Sequence, residues 1–258
     1  MRTPWVLDSL SSDTAFVGLG FSINRKAPRG EHIVLGCSHL YNAQGQGLQY
    51  RLSKIENATI VNDSPFMSRD DACRVGETIR QLFFNTRWKL PHRVVIHKLT
   101  PFQRDEREGL REDLGGVDEV DMLEINNDNA LRYVSSIPQR GGGFDEDNFP
   151  VRRGTVVKLE DFTALLWVHG ATDAIRQGWK YFQGKRRIPA PMVLRRHAGQ
   201  SDLSVLAEEI LGLSKMDWNS ADLYSKLPAT VASSKEIARL GMLLQRFGPM
   251  SYDYRLFI

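Results

Sequence analysis

Between Arg93 and Ile125 the chain passes from a short apolar segment, Arg93-Val-Val-Ile-His-Lys98, through a helical stretch into a second apolar segment, Val120 to Ile125. A helix between two strands carries the chain back to the end of the sheet where the first strand began, so the two strands lie parallel. That one unit commits the chain to an α/β sheet with a parallel portion. Thr100 can cap the intervening helix, with Pro101 at its first position and Gln103 completing a capping box, and the pattern runs to about Leu114.

The preceding residues predict a different geometry. Phe16 to Ile23 is apolar on both faces and reads as a central strand, with Gly18 and Gly20 marking a close backbone approach. Asn24 to Glu31 is a polar turn, Ile33 to Ser38 a second strand, Asn42 to Gly47 another turn, and Leu48 to Ser53 an alternating third strand. Strands joined by short turns predict an antiparallel meander. A helix follows with Ser68 as N-cap and Ala72, Val75, Ile79, Leu82 and Phe83 as its buried stripe.

Downstream of the parallel unit, Gln139 to Pro150 combines Gly141-Gly-Gly143 with Asp145-Glu-Asp147 and reads as a glycine-rich loop, not a metal site. Thr155 to Leu159 and Ala164 to His169 pair as strands. His169 has no histidine or cysteine at ligand spacing. Ser201 to Leu211 predicts a helix stopped by Gly212. The net charge of +3 over 258 residues says little as a total. Its distribution says more: Ala174 to Gln200 holds seven basic residues, Arg176, Lys180, Lys185, Arg186, Arg187, Arg195 and Arg196, and no acid. Trp179, Tyr181 and Phe182 are interleaved with them. Basic side chains track phosphates and aromatics stack on bases, so this stretch is a nucleic-acid-binding candidate.

The last forty-five residues, Ser214 to Ile258, end on Leu256, Phe257 and Ile258, an apolar tail whose burial would fix the terminal carboxylate. Ser233 and Glu236 have capping-box spacing, and Ile237, Leu240 and Leu244 line one helix face. This start places Lys235 in the first turn, where a cation opposes the helix dipole unless an anion is bound. Cys37 and Cys73 lack metal-ligand spacing and predict free thiols in a reducing cytoplasm. No apolar run reaches membrane-spanning length, and Met1 to Trp5 carries no signal-peptide pattern.

Taken together, the residues resemble the PIWI domain of Argonaute proteins, most of all the short prokaryotic type. The resemblance rests on Thr3-Pro-Trp5 ahead of Val17-Gly-Leu-Gly20, then Gly36-Cys-Ser-His39 with Gly45-Gln-Gly47. It continues through Val94-Val-Ile-His-Lys98 with Pro101-Phe102 and Glu108-Gly109. Gly184-Lys185, Arg196-His197, Trp218-Asn219, Leu227-Pro228 and the apolar tail complete it. It covers nearly the whole chain and implies an RNase H-like mixed sheet flanked by helices, with residues 1–258 forming one PIWI domain and the MID domain absent from the chain.

Slicing members of that family hold two divalent ions about 4 Å apart with three carboxylates and a fourth ligand. The resemblance places those four positions at Gly20, near Asp70, at Leu99 and near Lys235. Glycine and leucine bind no magnesium, and lysine repels it. The expectation is therefore a domain that does not cut nucleic acid and has no catalytic metal.

What the resemblance leaves is binding. It implies a guide strand, RNA, and a complementary single-stranded DNA target, held through Lys180, Lys185, Arg186, Arg187, Arg195, Arg196, Lys235 and Arg239. It also implies that the carboxylate of Ile258 shares a structural Mg2+ with the guide 5′ phosphate. Implied partners are a MID domain and a companion bearing an Argonaute-associated region and a TIR or sirtuin-like effector, switched on in the cytoplasm against plasmids or phage. The rival readings are an active nuclease recruiting Asp13, Glu31 or Glu124, and an interaction scaffold that binds no nucleic acid.

Overall fold

The computed structural model describes residues 13–24, 32–40, 49–127, 130–134, 136–146, 151–171, 189–216, 225–243 and 251–253. Three antiparallel strands come first: β1 (Thr14–Asn24), β2 (His32–Leu40) and β3 (Gln49–Ile55). A small hairpin, β4 (Thr59–Val61) and β5 (Ser64–Phe66), leads into α1 (Arg69–Arg87). The parallel unit follows as β6 (Arg93–Lys98), α2 (Arg104–Asp113) and β7 (Glu119–Asn127). A second hairpin, β8 (Ser136–Pro138) and β9 (Phe144–Glu146), precedes β10 (Val156–Glu160), β11 (Thr163–Leu166) and β12 (Met192–Ala198). Then come α3 (Leu203–Leu213), α4 (Ala229–Gly241) and β13 (Ser251–Asp253).

Nine of these strands form one mixed sheet in the order β10-β11-β12-β7-β6-β1-β2-β3-β13. β1, β6 and β7 run parallel at its centre, and the flanking strands are antiparallel. The expected meander and parallel unit are both present. The period of two explains how the core divides. Ala15, Val17 and Leu19 of β1 join Ile33 and Leu35 of β2 on the face covered by Ala72, Val75, Ile79 and Phe83 of α1. Phe16, Val34, Val95, Leu123 and Leu194 line the other face, under Leu206 and Ile210 of α3 and Val231 and Ile237 of α4.

A buried ion cluster ties α3 to the sheet. Arg93 donates to Asp121 at 2.8 Å and to Glu209 at 2.5 and 3.1 Å, and the Ser201 hydroxyl donates to Asp121 at 2.5 Å. Burial raises the Glu209 pKa, and Arg93 opposes that rise. Asp202 caps α3 by accepting from Ser204 N at 2.7 Å, and its bonds with Lys158 and Ser204 pull its pKa down to about 2.

Three helix starts differ from the sequence reading. α2 begins three residues later than expected, with Gln103 as N-cap donating its N–H to Glu106 Oε2 at 2.9 Å, so Thr100 is not the cap. α3 is capped by Asp202 and runs through Gly212 to Leu213. α4 begins at Ala229 after Pro228, and the box of Ser233 and Glu236 does not form. The Ser233 hydroxyl instead donates back to Ala229 O at 2.5 Å, and Glu236 pairs with Arg239. Pro228 has a fixed φ and its C=O accepts the first helical bonds from Val231 and Ala232, so the chain turns into helix there without a side-chain cap. Gly141 to Gly143 form the turn of the β8–β9 hairpin, and Asp145 and Glu146 lie in β9.

α1 begins as expected, with Ser68 accepting from Asp71 N at 3.2 Å. Its end is unusual. Trp88 sits in the left-handed region at φ 57°, its N–H bonded to Phe84 O, and its side chain is 81% exposed. Glycine is the residue this position favours. Trp88→Gly is expected to raise stability by about 1 kcal/mol, checked by chemical denaturation, because an exposed ring gives little packing in return.

Candidate nucleic-acid interface

The carboxyl ends of β1 and β6 lie side by side, with Leu19 registered against Lys98. One residue further on each strand come Gly20 and Leu99. Gly20 also faces Gly36 across the β1–β2 pair. α4 crosses directly over this glycine pair. A Cβ placed on Gly20 would lie 2.5 Å from Lys235 N, and one placed on Gly36 would lie 2.2 Å from Ser234 O. The two glycines let the helix backbone touch the sheet backbone, the close approach expected of Gly20. Leu99 packs partly buried against the same core that α3 and α4 cover.

Of the four family positions, Gly20 and the Lys235 backbone thus meet where α4 crosses β1, and Leu99 packs in the core on the same face of the sheet. Asp70 is exposed in the first turn of α1, the helix that covers the opposite face of the sheet. The neighbouring Asp71 is buried and bonded to Ser68, Asn57 N and Arg74, so it holds the turn before α1. Lys235 lies in the middle of α4, not its first turn, because the helix starts six residues earlier. The dipole argument for an anion at Lys235 therefore falls.

The chemistry around this point is largely apolar, with His97 Nε2 and Thr100 Oγ1 buried without a hydrogen-bond partner among the described residues. His97 is fully buried, stacked on Phe16, with Nδ1 3.0 Å from Thr230 Oγ1. Burial, assisted by Arg93, lowers its pKa to about 3, so the ring is neutral. Lys98 points to the other face, 1% exposed, where Nζ donates to Glu106 Oε1 at 2.5 Å and Pro101 O at 3.3 Å. Phe21, Phe66 and Phe102 present their rings to the ammonium, with centroids 4.8–5.3 Å away. Burial lowers the Lys98 pKa while Glu106 and Glu124 oppose that shift. No group of three or more potential metal ligands occurs among the described residues.

The acids that a rival nuclease would recruit do not converge. Glu124 Oε2 accepts from His197 Nε2 at 2.7 Å on the α1/α2 face, Asp13 pairs with Lys89 at 3.2 Å, and Glu31 lies outside the described residues. The four predicted basic residues that are described, Arg195, Arg196, Lys235 and Arg239, lie on different surfaces. Arg195 is exposed on the α1/α2 face of β12. Arg196 turns the other way, and its guanidinium donates to Ser201 O and to Asp161 O. Lys235 and Arg239 are exposed on α4, where Arg239 is held by Glu236 at 2.5 Å. Lys180, Lys185, Arg186, Arg187 and Ile258 lie outside the described residues.

Sequence reasoning missed a third basic surface. Arg104, Arg107 and Arg111 of α2, with Glu108, His197 and Ala198, line a hollow of about 410 Å3. Their spacing of three and four residues on a helix was the available signal. Cys37 and Cys73 are free thiols; burial raises both, Cys73 to about 11. No helix among the described residues is long and apolar enough to cross a membrane.

No family model matches the sequence, and no curated protein matches it. Solved structures do. The Clostridium butyricum Argonaute bound to a guide DNA and a 19-mer target DNA superposes with a TM-score of 0.62 at 16% identity, over 87% of this chain and 26% of that one. The C-terminal lobe of a budding yeast Argonaute gives 0.62 at 12% identity, over 88% of this chain and 46% of that one. The Marinitoga piezophila Argonaute in complex with 5′-OH guide RNA and target DNA gives 0.59 at 13% identity, over 96% of this chain and 31% of that one. This chain therefore spans between a quarter and a half of the Argonautes it superposes on. The nine-stranded mixed sheet, its parallel centre and its helices on both faces are the RNase H-like fold of the PIWI lobe of Argonaute proteins.

Proposed function

We propose that the chain is a catalytically inactive PIWI module of a short prokaryotic Argonaute. It binds a guide strand, RNA, with its complementary single-stranded DNA target, and this binding triggers an associated effector in defence against plasmids or phage. One observation carries the reading. The backbone of α4 at Ser234 and Lys235 fills the space into which a carboxylate at position 20 would project, and Leu99 takes the adjacent position in the core. The residues at these positions do not fit a two-metal centre, which needs several oxygen ligands around a shared pair of ions. Guide and target are named for neighbouring Argonautes, and they support a nucleic-acid ligand here.

The effector belongs to a companion protein carrying an Argonaute-associated region, and a MID domain supplies the 5′-phosphate pocket. A guide-associated Mg2+ at the Ile258 carboxylate belongs to the same proposal. Base pairing reads the sequence, while the protein reads backbone and duplex shape. The test combines the protein, guide and labelled target in magnesium and in manganese. Guide-dependent retention of an uncut target is expected, weakening steeply with salt. Cleavage lost on Glu124→Gln would sink the inactive reading, and salt-independent or absent binding would favour a scaffold without nucleic acid.

A further inference from the structure

We propose that the hollow between α2 and the end of β12 is a seat for the phosphate backbone of a nucleic acid. The ligand's identity rests on the nucleic-acid reading above; the site itself rests on separate observations. Arg104, Arg107 and Arg111 project from one side of α2 into a space of about 410 Å3 closed by His197 and Ala198. Alanine is the only apolar residue among the described residues of that lining, so these offer an apolar ligand almost nothing to bury against.

The charge balance favours an anion. The single lining carboxylate among the described residues, Glu108, is held by Arg104 Nε at 2.7 Å, with Arg69 3.9 Å away, and these cations lower its pKa. The carboxylate behind the floor, Glu124, is bonded to His197 at 2.7 Å. The guanidinium groups of Arg107 and Arg111 make no ion pair or hydrogen bond among the described residues. Two planar guanidinium forks with no carboxylate left to bind match phosphate oxygens in shape and charge.

The surface continues past the hollow. Arg195 faces Glu124 across the β12–β7 pair, and Glu124 is bonded to His197, so Arg195 lies on the same side of the sheet, where it is exposed. Its cross-strand neighbour Glu124 is already occupied by His197. Basic groups thus extend from α2 across the end of β12. An extended polyanion can contact them in succession; a lone phosphate can meet only one or two. Among the described residues no tryptophan, tyrosine or phenylalanine lines the hollow, so those residues offer no stacking platform for bases. The contact is made to phosphates and carries no sequence preference.

The test measures binding of a 20-base-pair RNA–DNA duplex between 50 and 300 mM salt, comparing the wild type with Arg107→Gln/Arg111→Gln. Removing two phosphate contacts lowers the slope of log affinity against log salt by about two and weakens binding on the order of tenfold at low salt, whatever the duplex sequence. Circular dichroism and a melting curve confirm that the double variant is folded. The charge-matched control Arg80→Gln/Lys54→Gln, outside the hollow, retains the wild-type slope. An unchanged slope and affinity in the arginine variant overturns the seat alone, and so does an equal loss in the control. A wild type that binds no duplex removes the nucleic-acid reading and this inference with it. ADP titrated without duplex separates the sources of phosphate: saturable micromolar binding lost in the double variant assigns the hollow to a free nucleotide and overturns the backbone assignment.

Discussion

Gly36→Ala destabilises the protein by about 3 kcal/mol, and the melting temperature falls by about 6–12 °C. The reason is steric and local. The new methyl would sit 2.2 Å from the Ser234 carbonyl oxygen and 2.7 Å from Ala238 N, and both belong to helix backbone. A side chain could rotate away; a helix turn must move bodily, and α4 is held by Val231 and Ile237 in the core. Gly20→Asp carries a larger penalty, since its Cβ meets Lys235 N at 2.5 Å and its carboxylate has no outlet to solvent. Reintroducing acids at positions 20 and 99 together therefore yields an unstable protein and not a magnesium-dependent nuclease. A Gly36→Ala variant that melts within 2 °C of the wild type would show that α4 does not rest on the sheet as described.

Glu106→Gln has an expected effect at least as large, a loss of about 3–5 kcal/mol in chemical denaturation near neutral pH. Glu106 is fully buried and anchors three donors: Lys98 Nζ at 2.5 Å, Met67 N at 3.1 Å and Gln103 N at 2.9 Å. A glutamine amide has one acceptor oxygen where Glu106 uses two, so the loss combines a lysine ammonium left without a counter-charge with an NH2 set against a backbone donor. The direction with pH follows from proton binding. Burial already sets the Lys98 pKa below its ordinary value, so the unfolded chain binds the proton more tightly than the fold does, and stability rises as pH rises towards the ordinary lysine value. Losing the carboxylate widens this gap. The deficit of Glu106→Gln is therefore large near neutral pH and shrinks towards pH 10. Lys98→Met/Glu106→Gln removes the charge altogether and recovers most of the stability. A double variant no better than the single one would show that the backbone bonds, not the ion pair, carry the effect.

The fold was legible where periodicity alone decides it. Arg93 to Lys98 is a strand with the predicted boundaries, and Ser68 caps α1 as its spacing indicates. Helix starts were less legible. Ser233 and Glu236 have the spacing of a capping box, but spacing cannot tell a cap from an interior serine bonding back to a carbonyl four residues earlier. That error displaced Lys235 into a first turn it does not occupy. The candidate site was legible only in part for a related reason. Gly20, Leu99 and Lys235 were placed by resemblance; Gly20 lies against the α4 backbone at Lys235, and Leu99 packs in the core on the same face of the sheet. The surface charges were chosen by local density, which does not reveal which way a side chain points. Alternation on β12 sends Arg195 and Arg196 to opposite faces, while the α2 arginines, diluted by five acids in the same helix, fall beside His197 only once the sheet has formed.

The pairing of β13 with β3 sets a condition on how the chain reaches its folded state. Ser251 to Asp253 close an edge formed by Gln49 to Arg51, about two hundred residues earlier. During synthesis β3 can find its neighbour β2 early, but its outer hydrogen-bonding groups stay open until residues 251–253 have been made. An open edge is a template for other chains, and contacts so distant in sequence form slowly. Ribosome-bound intermediates of this protein are therefore its most aggregation-prone species, and their vulnerable surface is the outer edge of β3.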